Sequence, residues 1–340
     1  MKQVIQLSLI SATILWSCSA SQEKEKIEKP ASYTIEQFMD INQIFGSSFS
    51  PDESKILISS KETGIFNAYQ IDINTGSTTQ LTSSTGNAIF ARAYFPNDER
   101  ILYTSDQGGN EITHIYVRQV DGTNRDLTPD STAKSSFYGW SYDRSKFYYG
   151  SNKRDPKYFD LYAVNIESES ESDVYQENVL YTNDKGYNVS SISTTGRYLA
   201  LNESITTNNS NMYLLDTESG ETKLLSPHEG DAQFGAQYFS LDDSYLFYLT
   251  NENSEFMHLR KYNITTGESE DILREDWDIS YAYQSHGGKY RVAAINNDAR
   301  TEIKIFDNTT GELLELANLP VGDITSVNIS DSEKLMSFYV

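Results

Sequence analysis

Residues 48–82, SFSPDESKILISSKETGIFNAYQIDINTGSTTQLT, decide the fold of this chain. Short apolar or alternating segments such as KILISS and FNAYQIDI are each bounded by Pro, Asp, Asn or Gly. These boundary residues favour turns, because Pro presets φ, Gly adopts positive φ and Asx side chains bond the local backbone. The stretch therefore predicts four short strands separated by turns.

The same pattern recurs along the chain at intervals of 44 to 51 residues. The residue that opens the second strand of each copy marks the repeat. These markers are Lys55, Arg100, Lys146, Arg197, Tyr245, Lys289 and Lys334. A period of about 40–50 residues with four strands is typical of a β-propeller, whose sheets stack around an axis. We predict an all-β propeller with four-stranded blades, six complete repeats, the start of a seventh and a short N-terminal helix.

The last repeat, ITSVNISDSEKLMSFYV from Ile324, contains only the first two strands of a blade. The absence of two outer strands would leave an apolar sheet edge open, which natural proteins avoid. We therefore expect a propeller over residues 48–340 that is truncated in its last blade and belongs to the front part of a longer protein.

The N-terminus carries the features of an export signal. Residues 1–17, MKQVIQLSLISATILWS, combine an early Lys with a short apolar run and predict a secretory signal peptide. Cys18, the single cysteine, follows where a bacterial lipobox requires it, which predicts lipidation and a membrane anchor. Trp16 departs from the small residue usual in that motif, so an ordinary signal peptide with an incidental cysteine is the alternative.

Two short segments connect this signal to the repeats. Residues 18–32 are charged and poor in apolar side chains, which predicts a flexible tether after the lipidated cysteine. Residues 33–47 predict a short helix and a lead-in to the propeller, with Thr34 and Gln37 forming a capping box.

The composition excludes one class of partner. The net charge is −22 at pH 7, and phosphate binding needs a basic face, so we expect no nucleic acid. The acidity indicates a soluble exported surface or, as the alternative, a preference for cationic ligands. The 24 Tyr and 15 Phe supply large flat side chains for the packed faces between sheets.

The sequence contains one near match to a nucleophile elbow, G-x-S-x-G, at residues 139–143, GWSYD. Asp143 replaces the final Gly, no helical pattern follows, and the segment aligns with the SFSPD turn of the first repeat. We interpret it as a blade turn, so this chain carries no Ser-Asp-His triad.

The four histidines give no sign of a metal site. They are His114, His228, His258 and His286. They fall in different repeats without metal-ligand spacing, and calcium-loop motifs are missing, so we predict neither a metal nor another cofactor.

Several segments together resemble the N-terminal propeller of bacterial prolyl oligopeptidase-family serine peptidases, which include dipeptidyl-peptidase and acylaminoacyl-peptidase types. They are YTIEQFM, the stretch at 48–82, DQGGNEITHIYVRQVDG and SNKRDPKYFDLYAVNI. The resemblance covers about residues 33–340. It implies a propeller that gates and binds peptide substrates and a following α/β-hydrolase domain, missing here, that carries the catalytic triad.

The resemblance also directs attention to the loops between second and third strands, which vary most and suit ligand contacts. The charged candidates for substrate or domain contacts are Asp106, Glu111, Arg154 and Asp155. A carboxylate there would hold a peptide ammonium, and Arg154 a peptide carboxylate. Solvated loop charge without a binding role is the alternative.

A second functional class stays open. TolB-like and other exported propellers share the SPD-x-x-K-I and TG-x-x-x-x-LT phrases, so the alternative is a non-enzymatic envelope propeller that binds a protein or glycan partner. In both cases the expected location is the cell envelope, as a lipoprotein in the periplasm or on the outer surface, held to the membrane through its lipid anchor.

The anchor yields a direct prediction. Replacing the lipidated residue, Cys18→Ala, should release the protein from the membrane fraction, because the lipid supplies the membrane affinity. Fractionation of cells measures this, with Ser21→Ala as the matched control. A Cys18→Ala variant that stays with the membranes as the parent does would show that the lipobox interpretation is wrong.

Overall fold

The computed structural model describes residues 32–166, 177–317, 319–320 and 322–340 of the chain. The predicted signal peptide, Cys18 and nearly all of the tether lie outside the described residues. The described residues divide into two units, which separate after Ile41.

The first unit contains the predicted helix, α1, which begins at Ile35 and ends at Met39. The capping box is confirmed: the Thr34 hydroxyl accepts a hydrogen bond from the Gln37 N–H at 3.2 Å, and the Gln37 side chain accepts one from the Thr34 N–H at 3.1 Å. This pair satisfies two donors that the first turn would otherwise leave open. No helix in the described ranges is long and apolar enough to cross a membrane.

The second unit consists of seven antiparallel sheets, here called blades 1 to 7, whose strands pair in sequence order. Blades 1 and 2 contain β1 Ile44–Phe49, β2 Lys55–Ser60, β3 Asn67–Asp72, β4 Thr78–Gln80, β5 Phe90–Tyr94, β6 Ile101–Ser105, β7 His114–Arg118 and β8 Asn124–Asp126. Blades 3 and 4 contain β9 Ser135–Trp140, β10 Lys146–Asp155, β11 Tyr158–Asn165, β12 Glu177–Tyr181, β13 Asn188–Ile192, β14 Tyr198–Thr206, β15 Asn209–Asp216 and β16 Thr222–Leu224. Blades 5 to 7 contain β17 Phe234–Phe239, β18 Tyr245–Thr250, β19 His258–Asn263, β20 Ser269–Leu273, β21 Ile279–Gln284, β22 Tyr290–Asn297, β23 Arg300–Asp307, β24 Thr325–Ile329 and β25 Met336–Tyr339.

This arrangement confirms the predicted all-β propeller of six blades and the start of a seventh. Blades 1 to 5 have four strands each. Blade 6 has three strands and, where a fourth would pair, one isolated bridge between Phe306 and Leu313. Blade 7 has two strands. The first strand begins at Ile44, inside the segment predicted as a lead-in.

The hydrophobic core lies between neighbouring blades. One cluster joins Phe95 and Leu102 of blade 2 to Phe147 and Tyr149 of blade 3. The indole of Trp140 packs edge-on against the Phe95 ring at a centroid distance of 5.2 Å. Complete burial of such side chains is worth about 1.5–3 kcal/mol each, so each blade depends on its neighbours for stability.

A serine, here called the turn serine, directly follows the first strand in six of the seven blades. Its side-chain oxygen accepts a hydrogen bond from the N–H five residues later, for example from Lys55 to Ser50 and from Lys146 to Ser141, both at 3.0 Å. Blade 2 has Phe95 at this position. Where an Asp follows two residues later, the serine hydroxyl donates to its carboxylate, and these bonds lower the pKa of Asp52 to about 2. This repeated polar turn explains the Ser-Pro-Asp phrase of the first repeat.

Three of these turns also bind the preceding blade in the ring. The third residue after the turn serine has a left-handed backbone, with φ of 57° at Glu53, 57° at Asp243 and 61° at Glu333. The Asp243 carboxylate accepts the Thr194 N–H of blade 4 at 2.8 Å, and the Glu333 carboxylate accepts the Lys289 N–H of blade 6 at 3.0 Å. The same turn geometry therefore joins different pairs of blades.

The third such turn joins the last blade to the first. The Glu53 carboxylate accepts hydrogen bonds from the N–H and hydroxyl of Ser332 in blade 7, the N–H at 2.7 Å. The Asn328 side chain donates to the Ser47 carbonyl at 2.6 Å, and the Tyr339 hydroxyl donates to the Gly46 carbonyl. As the sequence predicts, the seventh blade contains two strands, β24 and β25. Both strands contact blade 1 directly, because polar side chains of β24, of the turn and of β25 reach across.

This closure predicts a coupling between residues 279 positions apart in sequence. Glu53→Ala should lower the free energy of unfolding by about 1 kcal/mol, a charged hydrogen bond discounted for the partial exposure of the carboxylate. Urea unfolding of Glu53→Ala, Ser332→Ala and the double variant measures the coupling.

Glu62→Ala, at an exposed loop position of the same blade, is the matched control and should change the free energy of unfolding little. Losses that simply add in the double variant would contradict a direct contact between Glu53 and Ser332.

Candidate functional site

The first strand of each blade lies nearest the propeller axis, since the first strands of several neighbouring blades contact one another, as β1 contacts β5 and β13 contacts β17. In all seven blades the pairing register of this strand shifts once, which marks a β-bulge. Bulges re-aim side chains and are frequent beside functional sites. The inner strands therefore present an irregular set of side chains to the channel along the axis.

The residues at these register shifts form what we call the bulge ring. They are Gly46, Ser47, Arg92, Tyr138, Ser190, Gln237, Ser280, Ser326 and Val327. In six blades the shifted residues include the one three positions before the turn serine, or before Phe95 in blade 2. In blade 6 the shifted residue, Ser280, lies five positions before the turn serine Ser285. Most members are polar and one, Arg92, is charged, so the ring offers hydrogen-bonding groups to a ligand on the axis.

Arg92 has an unusual environment. Its neighbours Ala91 and Ala93 are buried, whereas Arg92 itself is exposed, so its side chain leaves the packed sheet faces and enters the channel. Desolvation by the surrounding protein lowers the pKa of Arg92 from its ordinary value. The Arg92 Nε donates to the Thr104 hydroxyl at 2.9 Å, which fixes the guanidinium. In the described part of the chain, no carboxylate lies within salt-bridge distance of it.

Tyr138 is the aromatic member of the bulge ring. Its ring lies over Gly150 of the adjacent strand β10, where a Cβ atom would come within 2.6 Å of the Tyr138 hydroxyl and 2.7 Å of its Cζ. Burial raises the pKa of this phenol. Gly150 thus provides the space that holds the Tyr138 ring against the sheet, beside the axis.

Two cavities occupy the end of the channel near the turns between first and second strands. The larger, of about 600 Å³, we call the aromatic cavity. Its aromatic lining consists of Phe137, Tyr138, Trp140, Tyr142, Tyr148, Tyr238, Phe239 and His286. The smaller, of about 340 Å³, we call the arginine cavity, because Arg92 and Arg144 both line it. Trp140 and Arg144 line both cavities.

Two contacts cross the channel at this end. Arg144 of blade 3 forms an ion pair with Asp331 of blade 7. Tyr142 of blade 3 stacks on His286 of blade 6 with ring centroids 4.7 Å apart. Burial and the nearby Arg144 lower the pKa of His286. Because blade 3 is a ring neighbour of neither blade 6 nor blade 7, these cross-channel pairs narrow the opening.

The predicted candidates Asp106 and Glu111 lie at the opposite end, in the loop between β6 and β7. The Asp106 carboxylate accepts the Glu111 N–H at 2.9 Å, and the Glu111 carboxylate lies 3.6 Å from the Lys134 ammonium. The Lys134 N–H in turn donates to the Asn152 side chain of β10 at 2.7 Å. The structure thus connects this loop to blade 3, and the predicted substrate contact stays a prediction.

Arg154 and Asp155 lie where β10 turns into β11. Arg154 donates to both carboxylate oxygens of the buried Asp160, at 2.6 and 2.9 Å, and to the Asn183 carbonyl at 2.9 Å. The Asp155 carboxylate accepts the Lys157 N–H at 2.9 Å within the turn. Both side chains therefore support the local fold of blade 3, and their predicted role in binding stays a prediction.

Ser141 is confirmed as a turn residue. Its hydroxyl donates to the Asp143 carboxylate at 2.6 Å and its oxygen accepts the Lys146 N–H at 3.0 Å. The side chain is buried between two paired antiparallel strands, whereas a nucleophile elbow joins a strand to a helix. Among the described residues, no three or more His, Cys, Asp or Glu side chains are grouped to hold a metal ion.

The sequence analysis missed Arg92 and Arg144. One trace of the bulge is present in FARAY, residues 90–94, where Ala91 and Ala93 alternate with Arg92 but Ala93 and Tyr94 are both apolar. This break in the alternation of apolar and polar side chains is typical of a β-bulge, which adds one residue to a strand. Nothing comparable marks Arg144, whose partner Asp331 is 187 residues away in sequence.

With this geometry described, the chain can be placed among known proteins. The family model for the prolyl oligopeptidase N-terminal β-propeller domain matches residues 68–339. The chain therefore belongs to the prolyl oligopeptidase N-terminal propeller family.

Solved structures share the fold at low identity. A prolyl endopeptidase superposes with a TM-score of 0.63 at 13% identity, over 88% of this chain and 49% of that chain. An oligogalacturonate lyase in complex with manganese superposes with a TM-score of 0.59 at 15% identity, over 86% of this chain and 84% of that chain. TolB from Acinetobacter baumannii superposes with a TM-score of 0.51 at 15% identity, over 87% of this chain and 72% of that chain.

A curated relative matches over a shorter stretch. The oligogalacturonate lyase of Dickeya dadantii (strain 3937) is 29% identical over 89 residues, which are 26% of this chain and 22% of that protein. The chain thus spans about half the length of the prolyl endopeptidase, and the aligned stretch makes up less than a quarter of this relative.

The contact between Tyr138 and Gly150 predicts that the effect of Gly150→Ala on stability depends on whether Tyr138 is present. Gly150→Ala should destabilise the parent by about 1 kcal/mol or more, because the new methyl group displaces the Tyr138 ring. In a Tyr138→Ala background the same change should be neutral or stabilising, since Ala suits a strand better than Gly. Chemical unfolding of the four proteins measures both effects, and equal losses in the two backgrounds would contradict the contact.

Proposed function

We propose that this chain is the substrate-gating and substrate-binding propeller of an exported prolyl oligopeptidase-like serine peptidase that acts on short peptides. The observation that carries the proposal is the family match over residues 68–339. Catalysis by acyl transfer would come from a C-terminal α/β-hydrolase domain, the domain that accompanies this propeller in the family. The propeller contributes selection of the substrate.

The channel geometry supports a gating role. The pairs Arg144–Asp331 and Tyr142–His286 span the axis between blades that are not ring neighbours. An extended peptide passes such an opening only when the side chains move, and a folded protein is excluded. The aromatic cavity behind these pairs offers flat apolar surfaces and hydroxyl groups, a combination that suits peptide side chains and backbone.

The cell-envelope location belongs to the same proposal. A signal peptide at residues 1–17 would direct export, and the lipidated Cys18 would attach the enzyme to the membrane in the periplasm or on the outer surface. Peptides in that compartment are then the accessible substrates.

The first test is genetic. The codons after Val340 should encode a G-x-S-x-G elbow followed by an Asp and a His, the triad order of an α/β-hydrolase. A stop codon soon after one completed blade would instead favour the non-enzymatic TolB-like envelope propeller that binds a protein or glycan.

The second test measures gating in the whole gene product. The enzyme should hydrolyse a tripeptide amide but not a 30-residue peptide. Arg144→Ala removes one cross-channel pair and should raise cleavage of the long peptide at least about tenfold, while tripeptide turnover changes little.

Arg197→Ala is the matched control, because Arg197 pairs with Asp216 within blade 4 rather than across the channel. Ser141→Ala should leave turnover unchanged, as expected for a turn serine. Unaltered size selectivity in Arg144→Ala would contradict gating at the cross-channel pairs.

A further inference from the structure

We infer that the arginine cavity is a carboxylate-binding site, in which Arg92 and Arg144 receive the free C-terminal carboxylate of a short peptide. The choice of a peptide rests on the proposed function. The site itself rests on the charges, donors and walls of the cavity.

The first argument is the charge balance. Arg92, Arg144, Glu53 and Asp331 line the cavity. The Glu53 carboxylate is occupied by the N–H and hydroxyl of Ser332, and Asp331 is paired with Arg144. Among the described residues, Arg92 forms no ion pair, whereas the other three charged side chains of the cavity are already engaged. The Arg92 guanidinium is therefore the charged group of the cavity that is open to an incoming anion.

The second argument is the set of open donors. Arg92 uses Nε for the Thr104 hydroxyl, which leaves its two terminal nitrogens without a described acceptor. The Nε of Arg144 is buried and has no hydrogen-bond partner in the described structure. An unpartnered buried donor is costly, and the two open terminal nitrogens of Arg92 match the two oxygens of a carboxylate.

The third argument is the shape and lining. A volume of about 340 Å³ accommodates the terminal residues of a peptide, not a folded domain. Tyr94, Phe95 and Trp140 provide aromatic walls for the last side chains. Arg92 is held in place by Thr104 and by its position at a bulge, so the carboxylate meets a preorganised guanidinium.

The experiment measures binding to this chain without hydrolysis. The probes are dansyl-Ala-Ala-Ala with a free C-terminal carboxylate and the same tripeptide as its C-terminal amide, followed by fluorescence anisotropy. The acid should bind at least about tenfold more tightly than the amide, the range expected for charge-assisted hydrogen bonds. Arg92→Gln should remove this preference and leave the affinity for the amide unchanged.

Two further variants separate charge from folding. Arg92→Lys keeps the charge but not the planar pair of donors, and should retain only part of the preference. Arg197→Gln makes the matched change outside the channel and should behave as the parent. Equal affinity for acid and amide in the parent, or a preference that survives in Arg92→Gln, would overturn the carboxylate site.

A third probe, trigalacturonate, distinguishes the source of the carboxylate. Binding of trigalacturonate that depends on Arg92, with no binding of the tripeptide acid, would overturn the assignment to peptides. If the whole gene product showed no peptidase activity, the proposed function would be contradicted. The carboxylate site would not be, because the anisotropy experiment measures binding without hydrolysis.

Discussion

The contact between the last blade and the first is the constraint on which this propeller depends. Every sheet buries its faces against two neighbours, so a ring with one open junction leaves two faces uncovered. Here Glu53, Asn328 and Tyr339 make the junction through hydrogen bonds to the other blade. Glu53 is an acidic turn residue with a left-handed backbone, and its carboxylate accepts hydrogen bonds from the neighbouring blade. Asp243 and Glu333 have the same conformation and make the same kind of contact at other junctions.

Closure of the ring also creates the channel. Once the inner strands surround an axis, their bulges aim Arg92, Tyr138 and their counterparts into a common channel. The same turns that hold neighbouring blades bring Arg144 and Asp331 together across it. The contacts between neighbouring blades and the pairs across the channel therefore lie at the same end of the sheets.

The repeat pattern was sufficient to predict the fold. Turn residues at a regular interval indicate blades, and the capping box at Thr34 and Gln37 follows from local chemistry alone. The interpretation of Ser141 was also accessible, since its segment aligns with the other turns. Each of these conclusions needs only neighbours in sequence.

The channel could not be predicted in the same way. A bulge depends on the pairing register of two strands, and the pair Arg144–Asp331 depends on where the ring brings two distant turns. The sequence likewise does not show that Arg154 is already engaged by the buried Asp160. The residues facing the axis are set by tertiary structure.

Hydrogen exchange tests the closed ring most directly. In the parent, the amides of β1 and β24 should exchange slowly, and Ser332→Ala should accelerate both segments together although they lie at opposite ends of the sheet order. The strands β13 and β14 of blade 4 serve as the internal reference and should change less. Acceleration of β24 alone, with β1 exchanging as in the parent, would contradict a ring closed between the seventh blade and the first.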